Sequence, residues 1–164
     1  MPVLSTTPDT ADLSLTIVAE LAAPPSRVWH VWVDPRQLER WWGPPTWPAT
    51  FVQHDVTVGG TSRYYMTGPE GEKAHGWWRF LALDEPNSLE FEDGFGDSPE
   101  QPAEGMPTIH GRVELAETPG GGTRMTVRSS FDTAEQMEQL LSMGMDEGMT
   151  LAMGQLDEVL HAVV

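Results

Sequence analysis

The chain has 164 residues, nine basic and twenty-five acidic side chains, a formal net charge of −16 and no cysteine. This length suits one domain with a real core, and the lack of thiols excludes a disulfide framework, a thiol nucleophile and a cysteine-ligated metal. Phosphate recognition needs clustered Lys and Arg, yet no Lys or Arg lies between Arg79 and Arg112 or after Arg128, so nucleic acid and anionic membrane surfaces are disfavoured as partners.

The first residues lack the basic stretch and long apolar run of a signal peptide. Nothing in the chain approaches the roughly 20 apolar residues of a membrane span, and a cytoplasmic location is expected. Residues 1–11 are expected to form a polar tail, and residues 12–164 one domain. Leu13, Leu15, Ile17, Ala19 and Leu21 alternate with more polar or smaller neighbours, the period-two signature of a strand. Ala23-Pro24-Pro25-Ser26 stops that strand, and a short helix is expected over Arg27–Val33. Asp34 then caps a second short helix, with Pro35 at its first position, running to Arg40. Trp41-Trp42-Gly43-Pro44-Pro45 ends the pair in a turn.

Strands are expected over Ala49–Val58, Ser62–Thr67, Gly76–Leu83, Ser88–Asp93, Thr108–Ala116 and Thr123–Phe131. Turn chemistry separates them at Gly59-Gly60, Gly68–Gly71, Asp84–Asn87 and Pro119–Gly122. Such short connections imply an antiparallel meander. Gly94–Pro107 is a longer connection rich in Gly, Pro and acids, suited to a mobile rim or lid. Asp93, just before it, and Asp97, within it, lack the ligand spacing of a calcium loop.

The last segment, Thr133–Val164, is expected to be one long helix of roughly 45 Å. Thr133 with Gln136, or Asp132 with Glu135, fits a capping box. Leu141, Met145, Met149, Ala152, Leu156, Val159, Leu160 and Val163 recur at helical spacing. Gly144, Gly148 and Gly154 interrupt it among Met143, Met145, Met149 and Met153. A plain core helix with close-packing glycines accounts for this pattern. So does an adaptable cavity wall of glycine and unbranched, polarisable methionine.

This order of elements resembles the START-like (SRPBCC) superfamily, the birch-pollen-allergen fold, and within it the AHSA-type branch, homologues of the C-terminal domain of the heat-shock chaperone ATPase activator. The residues that carry the likeness are Ala23–Trp29, Asp34-Pro35 through Leu38 to Trp41-Trp42-Gly43-Pro44, Asp55–Gly60, Gly122–Val127 and the helix from Gly148 to Leu156. The resemblance implies an α+β helix grip. In it a curved antiparallel sheet of six or seven strands wraps a long C-terminal helix, two short helices follow the first strand, and an apolar cavity lies between sheet and helix. Gly59-Gly60 and Gly76 are expected to supply bends. Many relatives carry Gly-Trp where this chain has Gly148-Met149, a change that enlarges or softens the cavity.

The resemblance implies binding of a small apolar molecule without cofactor or metal. Alternatives are a cyclase, dehydratase or hydrolase on the same scaffold, or a protein-interaction module that is chaperone-related or dimerises through an apolar surface near Trp41–Trp47. The candidate cavity residues are Trp42, Phe51, Tyr65, Trp78, Phe80, Phe91, His110, Met145, Met149 and Met153. Trp77 and Trp78 point to opposite faces of one strand, and the alternation does not say which is inward. No histidine pair has the spacing of a helical zinc site. His54 and His110 lie on strands, each either an inward acid or base near neutral pH or a surface or hydrogen-bonded residue. Tyr65, His110, Arg112 and Glu147 are the residue types available to a cyclase-like site.

Overall fold

The computed structural model describes residues 3–161. Residues expected to form a polar tail instead form an edge strand, β1 (Val3–Asp9), which pairs antiparallel with β2 (Ser14–Leu21) from Val3↔Ala19 to Asp9↔Ser14. Polarity argues against burial, not against backbone pairing, and Pro8 is tolerated because an edge strand needs hydrogen bonds on one side only. β2 buries Leu15, Ile17, Ala19 and Leu21 as its alternation predicts.

Two short helices follow, α1 (Pro25–Val33) and α2 (Pro35–Leu38), with the Asp34 side chain accepting from the Arg36 N–H at 2.9 Å. The meander comprises β3 (Ala49–His54), β4 (Thr61–Thr67), β5 (Lys73–Asp84), β6 (Ser88–Ser98), β7 (Gln101–Pro102), β8 (Ile109–Glu117) and β9 (Thr123–Ser130). β3 stops short of Val58 because Asp55–Gly60 turns, the Asp55 N–H donating to the Thr61 carbonyl at 3.0 Å. Much of the Gly94–Pro107 connection is ordered as a hairpin: β6 continues to Ser98 and pairs with β7. Among the described residues the sheet therefore holds nine strands, in the order β1-β2-β9-β8-β6-β5-β4-β3 with β7 beside β6. The two beyond the expected set are β1 and β7.

Register shifts at Phe51/Gln53 and Phe80/Ala82 mark bulges that bend the strands. Gly76 makes space for a ring. A Cβ there would fall 2.4 Å from Tyr64 Cζ, so the glycine seats the ring of its cross-strand partner. The other edge of the sheet is covered by α2. Arg36 donates to the Phe51 carbonyl at 2.7 Å, and Glu39 accepts from the Phe51 N–H at 3.0 Å, which satisfies backbone groups an edge strand leaves open.

The C-terminal arm crosses the concave face as three consecutive pieces, α3 (Ala134–Ser142), α4 (Met145–Met153) and α5 (Leu156–His161). The expected stripe persists, although Val163 lies outside the described residues. The break after α3 has a physical cause. Gly144 adopts φ +87°, ψ 22°, and its N–H bonds back to the Leu141 carbonyl at 3.0 Å, a left-handed helix end that favours glycine. Asp146 and Glu147 then occupy the first turn of α4, where the helix dipole favours acids. The fold is thus the helix grip, a curved, unclosed antiparallel sheet around a long helical arm, braced by α1 against β8 and α5.

Two glycine substitutions are expected to act with opposite sign. Gly76→Ala forces a methyl into the Tyr64 ring and should lower stability by about 1–3 kcal/mol. A Cβ at Gly148 meets nothing within 4 Å, so Gly148→Ala should raise stability by up to about 1 kcal/mol. Urea midpoints of the two variants against the parent chain measure both.

Candidate functional site

Strand period and helix period together build a cavity of about 230 Å³ between sheet and arm. The sheet contributes Tyr64 and Met66 from β4, Asp93 and Phe95 from β6, and Ile109 from β8. The turn after α2 contributes Trp41, Trp42 and Pro44. Leu140 of α3, the Met143-Gly144 joint, and Met145, Gly148, Met149 and Met153 of α4 form the opposite wall. Met143 is 63% exposed, which places the mouth at the joint between α3 and α4. Gln155 holds the brace to the arm by donating to the Gly43 carbonyl at 2.8 Å.

Of the ten residues singled out in the sequence, Trp42, Met145, Met149 and Met153 line this cavity. Phe51, Trp78, Phe80 and Phe91 are buried in the core outside the lining, with Trp78 and Phe91 stacked at 4.2 Å between ring centroids. Trp78 is therefore the inward member of its pair. Trp77 lies on the other face, where Gly94 leaves room for its ring: a Cβ there would fall 2.1 Å from it.

Tyr65 and His110 do not reach the cavity. On β4 the inward residues are Ser62, Tyr64 and Met66, so Tyr65 lies outward beneath the Lys73 ammonium, 4.5 Å from its ring centroid. On β8 the inward parity belongs to Ile109, Gly111 and Val113, and His110 meets Glu90 at 3.0 Å on the outer face. Arg112 joins the same carboxylate at 2.7 Å, and Glu147 is exposed.

His54 does point inward, as a tie rather than an acid or base at the cavity. The Trp32 carbonyl, 2.9 Å from Nε2, can only accept, so Nε2 carries the proton. Nδ1 then accepts from the Ser62 hydroxyl at 2.6 Å. Burial holds its pKa below the ordinary imidazole value, so the ring is neutral at pH 7.

The polar chemistry of the cavity rests on Tyr64 and Asp93, neither of which was singled out. Asp93 is on the same strand parity as Leu89, Phe91 and Phe95, the one acid in an apolar row, and that row was the available signal. The Tyr64 hydroxyl donates to Asp93 Oδ1 at 3.0 Å. Burial pushes the Asp93 pKa up to about 7, against the opposing Tyr64 hydrogen bond and the nearby Trp78 indole N–H. Burial and the facing carboxylate raise Tyr64 well above the phenol value, so it stays a donor. Around this pair the Nε1–H groups of Trp42 and Trp78 are buried without a hydrogen-bond partner. No Lys, Arg or His lines the cavity. Among the described residues no group of three or more His, Asp or Glu is arranged to hold a metal.

The raised Asp93 pKa carries a pH signature. Below the unfolded-chain value of 3.8 both states hold the proton; between 3.8 and about 7 the folded chain keeps a proton that the unfolded chain releases. Stability therefore falls as pH rises through this window, by roughly 1.4 kcal/mol per unit at most. Asp93→Asn, which keeps an acceptor for Tyr64, should remove this component and melt several degrees above the parent at pH 8. Thermal melts of both chains from pH 4 to pH 8 test it, and parallel curves would contradict the assignment.

The surroundings can be compared with known proteins. No curated protein matches the chain. Among solved structures it is similar to a protein from Arthrobacter aurescens, at 52% identity over 96% of this chain and 91% of that one, with a TM-score of 0.90. It is also similar to a protein from Mycobacterium smegmatis, at 45% identity over 99% of each chain, with a TM-score of 0.89. A Nitrosomonas europaea protein shares 29% identity over 94% of this chain and 97% of that one, with a TM-score of 0.78. The model for the family described as activator of Hsp90 ATPase homolog 1-like protein matches residues 22–161. That span takes in the brace, the cavity walls and the arm, and the chain belongs to this AHSA-type family of the START-like superfamily.

Proposed function

We propose that the chain binds a small hydrophobic molecule in the cavity between the curved sheet and the C-terminal arm. The observation that carries this reading is the cavity itself, about 230 Å³ with walls that are apolar apart from one tyrosine and one carboxyl. Drug-sized ligands occupy sites of roughly 300–1,000 Å³, so the occupant is small. Methionines at positions 143, 145, 149 and 153 suit a wall that reshapes around its guest. The glycine joint at Gly144 supplies a place for the mouth to open.

A second reading, an enzyme acting by acid–base chemistry, requires two titratable groups at one point of the cavity. Tyr64 and Asp93 meet that requirement at 3.0 Å, and a carboxyl poised near neutrality suits proton transfer. The interaction-module reading has less support. It relied on an apolar surface at Trp41–Trp47, whereas Trp41 and Trp42 are buried.

The neutral fluorophore N-phenyl-1-naphthylamine should brighten on mixing with the protein, and native mass spectrometry should show apolar small molecules that co-purify. Gly148→Leu places a side chain into the open space of the cavity and should weaken the probe at least tenfold without loss of thermal stability. Met149→Trp should act in the same direction. An unchanged affinity in both variants would place the binding elsewhere.

A further inference from the structure

The binding reading leaves open what kind of molecule the cavity selects, and its polar corner narrows the choice. Trp42 lines the cavity and is 8% exposed, yet its Nε1–H, near the Tyr64 oxygen, makes no hydrogen bond of ordinary geometry. Buried donors are almost always satisfied, by protein, water or ligand, so this one marks the place of a missing acceptor. Across the Tyr64 ring, which Trp42 meets edge-on, Asp93 faces the same cavity with one oxygen engaged by the Tyr64 hydroxyl. The Trp78 indole N–H approaches this carboxyl without forming a hydrogen bond of ordinary geometry, and above pH 7, once Asp93 is ionised, Oδ2 accepts. The corner therefore presents one unused donor and one unused acceptor, in a wall otherwise made of aromatic rings, methionines and aliphatic side chains.

Each class of polar group meets that corner differently. An anion would enter a chain of net charge −16 with no cationic side chain in the lining. An ammonium would pair with Asp93, but it has only donors and would leave the Trp42 N–H unsatisfied. A carbonyl would accept from Trp42 and leave the ionised Asp93 Oδ2 without a donor. A hydroxyl both accepts and donates.

We propose that the cavity selects a neutral, largely apolar molecule bearing a hydroxyl group, whose oxygen accepts from the Trp42 indole N–H and whose hydrogen is donated to Asp93. This rests on the binding reading above and adds the chemical class of the ligand. Tyr64 is a positioning residue in it, holding the Asp93 carboxyl in place through Oδ1.

A matched series on one ring system tests the proposal at pH 8, where Asp93 is mostly ionised: naphthalene, 1-naphthol, 1-naphthoate and 1-naphthylmethylammonium, each displacing N-phenyl-1-naphthylamine. The expected order puts 1-naphthol roughly tenfold ahead of naphthalene, as one satisfied buried hydrogen bond implies, with 1-naphthoate weakest. In ¹H–¹⁵N spectra of the parent chain, the Trp42 indole N–H resonance should move downfield with 1-naphthol and not with naphthalene. Asp93→Leu and Trp42→Phe should each shrink the preference for 1-naphthol over naphthalene several-fold. The parent spectra read the contact even where a variant fails to fold. Equal binding of naphthalene and 1-naphthol overturns the hydroxyl assignment and leaves the binding reading standing. Strongest binding by the ammonium also overturns it and makes Asp93 a counter-ion. If neither the fluorophore nor any member of the series binds, the binding reading falls with it.

Discussion

The rest of the structure depends on a wedge of indoles between the brace helices and the sheet. Trp32 of α1 packs edge-on against Trp41 at 4.7 Å between centroids, and Trp42 packs edge-on against Trp78 at 4.8 Å. Trp78 in turn stacks on Phe91 across β5 and β6. Rings of this size bury large areas and prefer such edge and offset contacts, so the wedge fixes how far the brace stands from the strands. Two of its four indole N–H groups are tied as well. Trp41 donates to the Val31 carbonyl at 2.9 Å, and Trp32 approaches Met125 Sδ at 3.4 Å. The cavity begins where the wedge ends, with Trp41 and Trp42 both packed in the wedge and lining the cavity.

Two buried polar clusters on the concave face show how similar materials come to different ends. His54 and Ser62 satisfy one another and the Trp32 carbonyl completely, and the result is a rigid tie from α1 to β3 and β4. Tyr64 and Asp93, one strand over, satisfy each other only in part and leave two indole donors unmet beside them. In a low-dielectric wall a complete network rigidifies, whereas an incomplete one is costly. The second cluster is where a guest has something to gain.

The arm shows a similar division of labour. Gly144, Gly148 and Gly154 share one helical stretch and share little else. Gly144 ends α3 in a left-handed turn, and Gly148 sits inside α4 facing empty space. Gly154 keeps right-handed geometry at the end of α4. The methionines beside the first two line the cavity, so the flexible wall and the broken helix coincide at one joint.

Much of this was legible from local pattern. Alternation located β2 and the main strands, Asp34-Pro35 marked the second brace helix, and the recurring apolar steps placed Met145 and Met149 on the inner side of the arm. Those features follow from backbone periodicity, which neighbouring residues alone determine. Strand phase was harder. Choosing Tyr65 over Tyr64 reverses the face, and only pairing with β5, with Gly76 opposite Tyr64, settles which ring turns inward. The outward neighbours Arg63 and Thr67 carried a hint of that phase. β1 escaped because backbone pairing at an edge needs little apolar side chain. By itself, then, the sequence determined the periodic elements, their order and the apolar character of the arm. Only the tertiary structure decided that Asp93, Tyr64 and Trp42 share one corner, because that meeting depends on register and sheet curvature between segments far apart in the chain.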